Sequence, residues 1–220
     1  MAVVGPSGCG KTNLIFSMLE NKTFYPTFEK IYFFYHVQQN SFIEVSKREN
    51  IEFVPGIDFD LIDGLTDCLL IFDDSCEEIF NEPRFVKMAV SGRHKKISVI
   101  YVKHNLYHQS KFSRTIDLNT THYVLFKSPR DEQQIVQFGK QLNKINFIRE
   151  SYTQATSEPH GHLLIDLNPH TSEGLRYCSN IVGPGPSTFY LPPSKAVVTK
   201  LQNEKEARAY TEQMVQPTAS

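Results

Sequence analysis

Residues 2–12 read AVVGPSGCGKT, a short apolar run followed by a glycine-rich segment that ends in Lys11 and Thr12. The segment matches the pattern G-x-x-x-x-G-K-[ST]. Its glycines permit backbone conformations in which successive N–H groups surround phosphate oxygens, and the following helix directs the positive end of its dipole at the same anion. The stretch therefore predicts a strand, a phosphate-binding loop (Walker A) and a helix that begins near Lys11.

The residue types in this loop predict which ligands it binds. In such loops the lysine contacts the β- and γ-phosphates of a nucleotide, and the hydroxyl of the next residue binds Mg²⁺. Lys11 and Thr12 hold these positions, so ATP and Mg²⁺ are the expected ligands, while Cys9 is expected to be an inert spacer. The predicted nucleotide-binding residues are Gly5, Pro6, Ser7, Gly8, Cys9, Gly10, Lys11 and Thr12.

A second apolar run, LLIFDD at residues 69–74, ends in two adjacent carboxylates. A phosphate loop of this kind requires a carboxylate (Walker B) that holds the magnesium ion. We expect Asp73 to bind Mg²⁺, directly or through water. We expect Asp74 to orient and deprotonate an attacking water molecule, which is the role of the base in hydrolysis.

Short apolar runs alternate with segments of helical length along the first 168 residues. Runs of this length fit strands that are buried on both faces of a parallel sheet. The pattern predicts an α/β fold: a P-loop NTPase (RecA-like, ASCE-type) three-layer sandwich with a mainly parallel central sheet. The predicted strands are Ala2–Val4, Ile31–Val37, Ile51–Val54, Cys68–Phe72, Ile97–Val102, Tyr123–Phe126 and Leu163–Ile165, and the predicted helices are Lys11–Glu20, Arg84–His94 and Asp131–Lys144.

An extra strand, Ile31–Val37, separates the two motifs in the sequence. This resembles P-loop ATPases in which a strand is inserted between the Walker A and Walker B strands. Those enzymes carry a polar sensor at the tip of the next strand. Here the tip of that strand, after ISVIYV, holds Lys103, His104 and Asn105. His104 and Asn105 are the sensor residues that we expect to act in catalysis.

The 220 residues suit one domain with an appendage better than two full domains. We predict an ATPase domain at residues 1–168. The remainder, 169–220, begins with a strap that includes the proline- and glycine-rich stretch GPGPSTFYLPPSK. Good helix formers follow from Ser194 onward, so the end of the chain is expected to be either a helix or a disordered tail.

Several protein classes are excluded by composition. The longest apolar runs are far shorter than the roughly 20 residues of a membrane helix, and the first residues lack the basic and apolar regions of a secretory signal. The four cysteines have neither CxxC pairing nor zinc spacing, which predicts free thiols in a reducing, intracellular compartment.

The overall charge of −1 hides a strong asymmetry between two parts of the chain. Residues 44–82 contain twelve acidic and two basic residues, whereas residues 84–144 contain twelve basic and three acidic ones. Such a basic block is a candidate surface for a polyanion. The alternative is that the two parts pair with each other in the fold.

Four segments carry a resemblance to a known family. They occur in the order GPSGCGKT (5–12), LLIFDDS (69–75), SGRHKKISVIYVKHNLYHQSKFSRTIDLNTTHYVLFKSPRD (91–131) and HLLIDLNPHTSEGLRYCSNI (162–181). Together they resemble the poxvirus-type genome-packaging ATPases of the FtsK–HerA superfamily, above all those of Maverick/Polinton elements and related double-stranded DNA viruses. The resemblance spans roughly residues 1–181.

The resemblance implies a motor that hydrolyses ATP to drive double-stranded DNA into a preformed capsid. It implies a homo-oligomeric ring, contact with capsid proteins, and a location in the host cytoplasm or nucleus or with the virion. Ring ATPases of this type take an arginine from the neighbouring subunit to stabilise charge on the γ-phosphate. Arg93 and Arg114 are the candidates for catalysis in trans, with Arg130 as a further one.

Three features depart from the family pattern. Only four residues precede Gly5, whereas relatives usually carry more, so we expect either a short first strand or a misassigned start site. Asp74 stands where many related motors have Glu, and His104 stands where the sensor is usually Gln. Two alternatives to the motor stay open at this point: a nucleotide-gated assembly protein with little turnover, and a P-loop kinase.

Overall fold

One nine-stranded sheet forms the centre of the computed structural model, which describes residues 1–24, 27–38, 50–182 and 185–193 together with Phe42 and Val45. The strands are β1 (Ala2–Val4), β2 (Ile31–Tyr35), β3 (Ile51–Pro55), β4 (Cys68–Phe72), β5 (Ile97–Lys103), β6 (His122–Phe126), β7 (His162–Asp166), β8 (Tyr177–Ser179) and β9 (Thr188–Phe189). Their order across the sheet is β3-β2-β4-β5-β1-β6-β7-β8-β9.

The sheet is mainly parallel, as the runs of apolar residues predict. Strands β1 to β6 pair in parallel, whereas β7, β8 and β9 add in antiparallel fashion beyond β6. All five residues of β4 are buried, which is typical of a strand covered on both faces. Parallel strands place their carboxyl ends at one edge of the sheet. The segments after β1, β4, β5 and β6 therefore emerge at a common edge.

Helices cover both faces of the sheet, so the predicted three-layer arrangement is confirmed. Helix α1 (Lys11–Glu20) packs its apolar side on the face that includes Val3, Ile71 and Val102. The opposite face includes Leu70, Phe72 and Tyr101. On the described part of the chain it is covered by helices whose bounds are Cys76–Ile79, Pro83–Ser91, Ser113–Leu118, Glu132–Gln141 and Ile145–Ala155. A short helix, Phe59–Asp63, and a 3-10 helix, Gly92–Lys95, complete the described elements.

The strand that lies between β1 (Walker A) and β4 (Walker B) in the sheet is β5, which follows both of them in the sequence. Strand β5 lies between β1 and β4, with Val4 opposite Lys103 on one side and Phe72 opposite Tyr101 on the other. Strand β2, the extra strand of the sequence, pairs on the outer side of β4. The tip of β5 is thereby brought between the phosphate loop and the carboxylates.

The compact unit that contains the sheet runs from Met1 to Tyr190. It extends past residue 168, the predicted end of the ATPase domain, because β8 and β9 add to the sheet beyond β7. Strand β8 has three residues and β9 has two, which is too few for a periodic pattern, and β9 lies within the proline-rich stretch. A second unit comprises residues 191–220, and the predicted terminal helix lies outside the described residues.

No helix in the described part of the chain has the length and apolar character needed to cross a membrane. Of the cysteines whose side chains the structure describes, Cys9, Cys68 and Cys178 are free thiols, as predicted.

Candidate active site

The phosphate loop lies between the end of β1 and the start of α1. Gly8 and Gly10 have φ angles of 76° and 104°, in the left-handed region that glycine adopts without a steric penalty. Gly10 precedes the helix as its N-cap residue, and because glycine has no side chain, the first-turn N–H groups receive no side-chain cap from it. Those N–H groups lack partners within a helix and form, with the helix dipole, a site suited to an anion.

Lys11 is held within the loop. Its Nζ atom donates hydrogen bonds to the carbonyls of Gly5 at 2.9 Å and Pro6 at 2.8 Å, and the residue is buried. The Gly5 N–H in turn donates to the carbonyl of Lys103 at 3.0 Å, which joins the loop to the tip of β5. The loop thus encloses the ammonium group of Lys11, the kind of group that contacts β- and γ-phosphates in loops of this pattern.

Thr12 and Asp73 come together as the motif pattern predicts. The Thr12 hydroxyl donates a hydrogen bond to Oδ2 of Asp73 at 3.1 Å. Asp73 is buried at the end of β4, and its N–H donates to the carbonyl of Phe34 on the neighbouring strand. Burial, and next the negative charge of Asp74, raise the pKa of the Asp73 carboxyl to about 6. A cation bound at this place would compensate the negative charges of Asp73 and Asp74.

The Thr12–Asp73 pair fits Mg²⁺ bound together with a nucleotide. The described residues contain no group of three or more His, Cys, Asp or Glu side chains that could hold a metal ion by themselves. Mg²⁺ usually binds through one or two protein oxygens, substrate phosphates and water. The hydroxyl and the carboxylate beside the phosphate loop are oxygen donors of this kind.

Asp74 and His104 form a second polar pair beside the first. Nε2 of His104 lies 3.0 Å from Oδ1 of Asp74, and both side chains are about half exposed. Asp74 has a φ angle of 53°, a left-handed conformation that is uncommon outside glycine and often marks a functional site. The backbone turn after Asp73 therefore directs the Asp74 carboxylate to the histidine at the tip of β5.

The other two polar residues at the tip of β5 have different positions. Asn105 follows His104 and is exposed at the same edge of the sheet. Lys103 is buried on the opposite face from Val102, where its Nζ atom donates to Oδ1 of Asp117 and to the carbonyl of Leu106, both at 2.8 Å. Lys103 therefore points away from the phosphate loop, because side chains alternate between the two faces along a strand.

The predicted arginines do not contact the phosphate loop within this chain. Arg93 lies in the 3-10 helix before β5, at the sheet edge opposite the loop. Arg114 is exposed in the helix Ser113–Leu118, and Arg130 is exposed in the turn after β6. Whether Arg93 or Arg114 acts on a neighbouring subunit stays a prediction.

The Cys9 thiol is not activated by its place before α1. Burial raises its pKa, against the opposing effect of the Lys11 charge. A thiol with a raised pKa is a poor nucleophile at neutral pH, in agreement with the spacer role expected for Cys9.

Two residues that support the site were missed by the sequence analysis. Gln134 accepts hydrogen bonds through Oε1 from the N–H groups of Leu106 and Tyr107, and so holds the segment after the sensor residues. His160 contacts the phosphate loop through the carbonyl of Cys9. No motif marks either residue, and His160 lies 151 positions from Cys9 in the sequence.

Comparisons of the sequence with protein families and with curated proteins give no match. Solved structures do match. The crystal structure of the DNA-packaging ATPase from Sulfolobus turreted icosahedral virus aligns with a TM-score of 0.54 at 14% identity, over 88% of this chain and 97% of that chain. The genome packaging NTPase from Sulfolobus turreted icosahedral virus 2 in complex with AMP aligns with a TM-score of 0.54 at 12% identity, over 88% of this chain and 96% of that chain. Its complex with AMPPCP aligns with a TM-score of 0.53 at 14% identity, over 87% and 96% of the two chains.

The chain has the fold of these viral NTPases. The predicted α/β P-loop NTPase fold with a mainly parallel sheet is therefore confirmed. The site described above lies at the carboxyl ends of the parallel strands, where open α/β sheets bind their ligands.

Proposed function

We propose that the protein binds ATP with Mg²⁺ and hydrolyses it. The observation that carries the proposal is the convergence of Lys11, the Thr12–Asp73 pair and the Asp74–His104 pair at one end of the sheet. The sequence places these residues on three separate segments. If Asp73 and Asp74 only formed an acidic turn at the surface, contacts with both the phosphate loop and the tip of β5 would not be expected. The viral NTPases of the same fold have been crystallised with AMP and AMPPCP, which supports nucleotide as the ligand.

Each residue has a distinct task in this proposal. Lys11 and the loop N–H groups bind the phosphates, and Thr12 and Asp73 hold Mg²⁺, which supplies positive charge at the phosphate oxygens. Asp74 accepts the proton of the attacking water. His104 donates from Nε2 to the carboxylate of Asp74 and so orients it. Asn105 is proposed to contact the γ-phosphate or the water from the same strand tip.

We further propose that hydrolysis drives double-stranded DNA into a capsid. The order of the sequence motifs supports a packaging ATPase of the FtsK–HerA type, and the shared fold with a DNA-packaging ATPase supports the same reading. The ring of identical subunits, the contact with capsid proteins, the location in the host cell and the poxvirus or Maverick/Polinton affinity belong to this part of the proposal. Arg93 or Arg114 would complete the site of the neighbouring subunit.

The ion pairs within the fold indicate which basic residues stay available for contact with DNA. Part of the basic block is neutralised within the fold: Arg84 pairs with Asp60 at 2.8 Å, and Lys96 lies 3.8 Å from Asp67. Lys103 and Lys144 also pair, with Asp117 and Glu173 respectively, whereas further basic residues of the block have no ion pair among the described residues. Four of them lie in the segments after β5 and β6, namely Lys111, Arg114, Lys127 and Arg130. These side chains are the proposed contacts to DNA phosphates, whose binding is steeply salt-dependent.

An ATPase assay with and without duplex DNA tests the proposal. We expect turnover that DNA stimulates, and ATP and DNA together should convert monomers into a ring. Lys11→Ala should abolish ATP binding or turnover, whereas Lys140→Ala, an exposed control on the helix Glu132–Gln141, should leave both unchanged. Tight binding without turnover would indicate a nucleotide-gated assembly protein. Phosphate transfer to a small acceptor would indicate a kinase.

A further inference from the structure

His160 lies against the phosphate loop. Its Nδ1 atom is 3.0 Å from the carbonyl oxygen of Cys9, and a Cβ placed on Gly10 would come within 3.0 Å of the same nitrogen. A carbonyl only accepts hydrogen bonds, so Nδ1 carries the proton in this contact. In the neutral ring Nε2 is then an acceptor. The imidazole is exposed, so its ring is accessible to a ligand in the loop.

The backbone around His160 is built to hold the ring in this place. His160 has a φ angle of 62°. The Gly161 N–H donates to the carbonyl of Glu158, and a Cβ on Gly161 would approach the carbonyl oxygen of Ala155 to 2.5 Å. His162 is buried, and its Nδ1 donates to the carbonyl of His160 at 3.2 Å. A left-handed residue next to an obligatory glycine, supported by a buried histidine, indicates a turn with one conformation.

The sheet order determines which end of a nucleotide faces this turn. Asp74 and His104 follow β4 and β5, on one side of β1, and they act on the terminal phosphate in the proposed reaction. His160 precedes β7, on the other side of β1. A nucleotide whose terminal phosphate reaches Asp74, and whose other phosphates follow the loop, places its nucleoside on the side of β1 away from β4 and β5. That direction leads along the loop to Cys9, Gly10 and the imidazole of His160.

We propose that His160 contacts the nucleoside of the bound purine nucleotide. This inference rests on the proposed function. The ring offers an aromatic face for stacking on a base and an acceptor at Nε2, while its Nδ1–H stays on the Cys9 carbonyl. His160 is thus a binding residue for the half of the substrate that the Walker motifs do not contact.

The test compares two ligands that differ only in the nucleoside. Binding of Mg²⁺–ATP and of Mg²⁺–tripolyphosphate is measured by calorimetry for the wild-type protein and for His160→Asn. Asparagine tolerates the left-handed backbone, and its amide N–H replaces the donor to Cys9, so the loop keeps its contact while the ring is lost. His170→Asn, an exposed histidine in the turn after β7, is the matched control. Thermal melting checks that each variant is folded.

We expect His160→Asn to weaken ATP binding by about fivefold or more, the scale of one base–aromatic stack, and to leave tripolyphosphate binding unchanged. His160→Ala, which also removes the donor, should weaken ATP binding at least as much. Equal losses for both ligands in His160→Asn would show that the residue only shapes the loop, and would overturn the proposal. Unchanged ATP binding would overturn it as well. If the wild-type protein binds neither ligand, the proposed function fails, and this inference fails with it.

Discussion

Nε2 of His104 lies 3.0 Å from Oδ1 of Asp74, although the two residues follow different strands of the sheet. The contact exists because β5 inserts between β1 and β4, which brings the tip of β5 beside the carboxylates that follow β4. In the proposed reaction Asp74 is the base, at a position where many of the motors that the sequence resembles have glutamate. The histidine reaches the shorter carboxylate and restricts its orientation.

The first prediction concerns Asp74. Asp74→Asn should lower ATP turnover by roughly 10²-fold or more, because the amide cannot take a proton from water. The amide oxygen can still accept from His104, so the geometry of the pair is preserved. Affinity for Mg²⁺–ATP should therefore stay at the wild-type value. Steady-state turnover and calorimetric binding measure the two quantities separately, and retained turnover would remove Asp74 from the role of base.

Asp73→Asn should produce the complementary phenotype. Asp73 is buried beside Thr12, and loss of its charge removes a carboxylate ligand of the metal. ATP affinity in the presence of Mg²⁺ should fall, while affinity in EDTA should change little. If instead Asp73→Asn spares Mg²⁺-dependent binding and Asp74→Asn abolishes it, the roles of the two aspartates are reversed.

Gly5 and Gly8 offer a matched pair of substitutions in one loop. A Cβ on Gly5 would lie 2.7 Å from Cβ of Phe126 and 2.8 Å from Sγ of Cys9, whereas a Cβ on Gly8 would meet no atom within 4 Å. Gly8→Ala should cost about 1 kcal/mol for its left-handed backbone. Gly5→Ala should lower the melting temperature further and weaken ATP binding more, since Cβ of Phe126 is fixed to the backbone of β6. Equal effects of both changes would contradict the crowding at Gly5.

The buried ion pair of Lys103 with Asp117 should be important for stability. Lys103→Met leaves the Asp117 carboxylate without its partner and should lower the free energy of unfolding by about 3 kcal/mol, as measured by chemical denaturation. Lys96→Met is the control, because Lys96 lies 3.8 Å from Asp67 at the surface and such pairs contribute less than about 1 kcal/mol. Similar losses for the two variants would show that burial of Lys103 does not matter to its pairing.

The last prediction is that the site is completed by a neighbouring subunit. Arg114→Ala or Arg93→Ala should lower turnover while ATP affinity is retained, since such an arginine contributes about 10³–10⁵ in rate. Mixing either variant with Lys11→Ala should restore part of the activity, because some interfaces then pair an intact loop with an intact arginine. Specific activity should also rise steeply with protein concentration. If activity is flat with concentration and no mixture recovers turnover, the motor proposal fails and the kinase becomes the better hypothesis.

Much of the sheet could be predicted from the sequence, because strands that are buried on both faces appear as continuous apolar runs. The apolar run at β4 is continuous because both faces are buried, and α1 begins at Lys11 because a glycine with positive φ precedes it. Strands β8 and β9 were missed, since three and two residues carry almost no periodic signal and β8 and β9 depend on pairing with β7.

The sequence by itself determined where the phosphate-loop motif and the acidic pair after β4 lie, and it predicted the roles proposed for them. Those roles depend on residue types at fixed local spacing, so a short stretch contains all the information. Only the tertiary structure decided that Lys103 turns away from the site, that His104 meets Asp74 and that His160 touches the loop. These relationships follow from strand order, from the alternation of side chains and from a turn far along the chain. Such contacts join segments that are distant in sequence, and local pattern does not encode them.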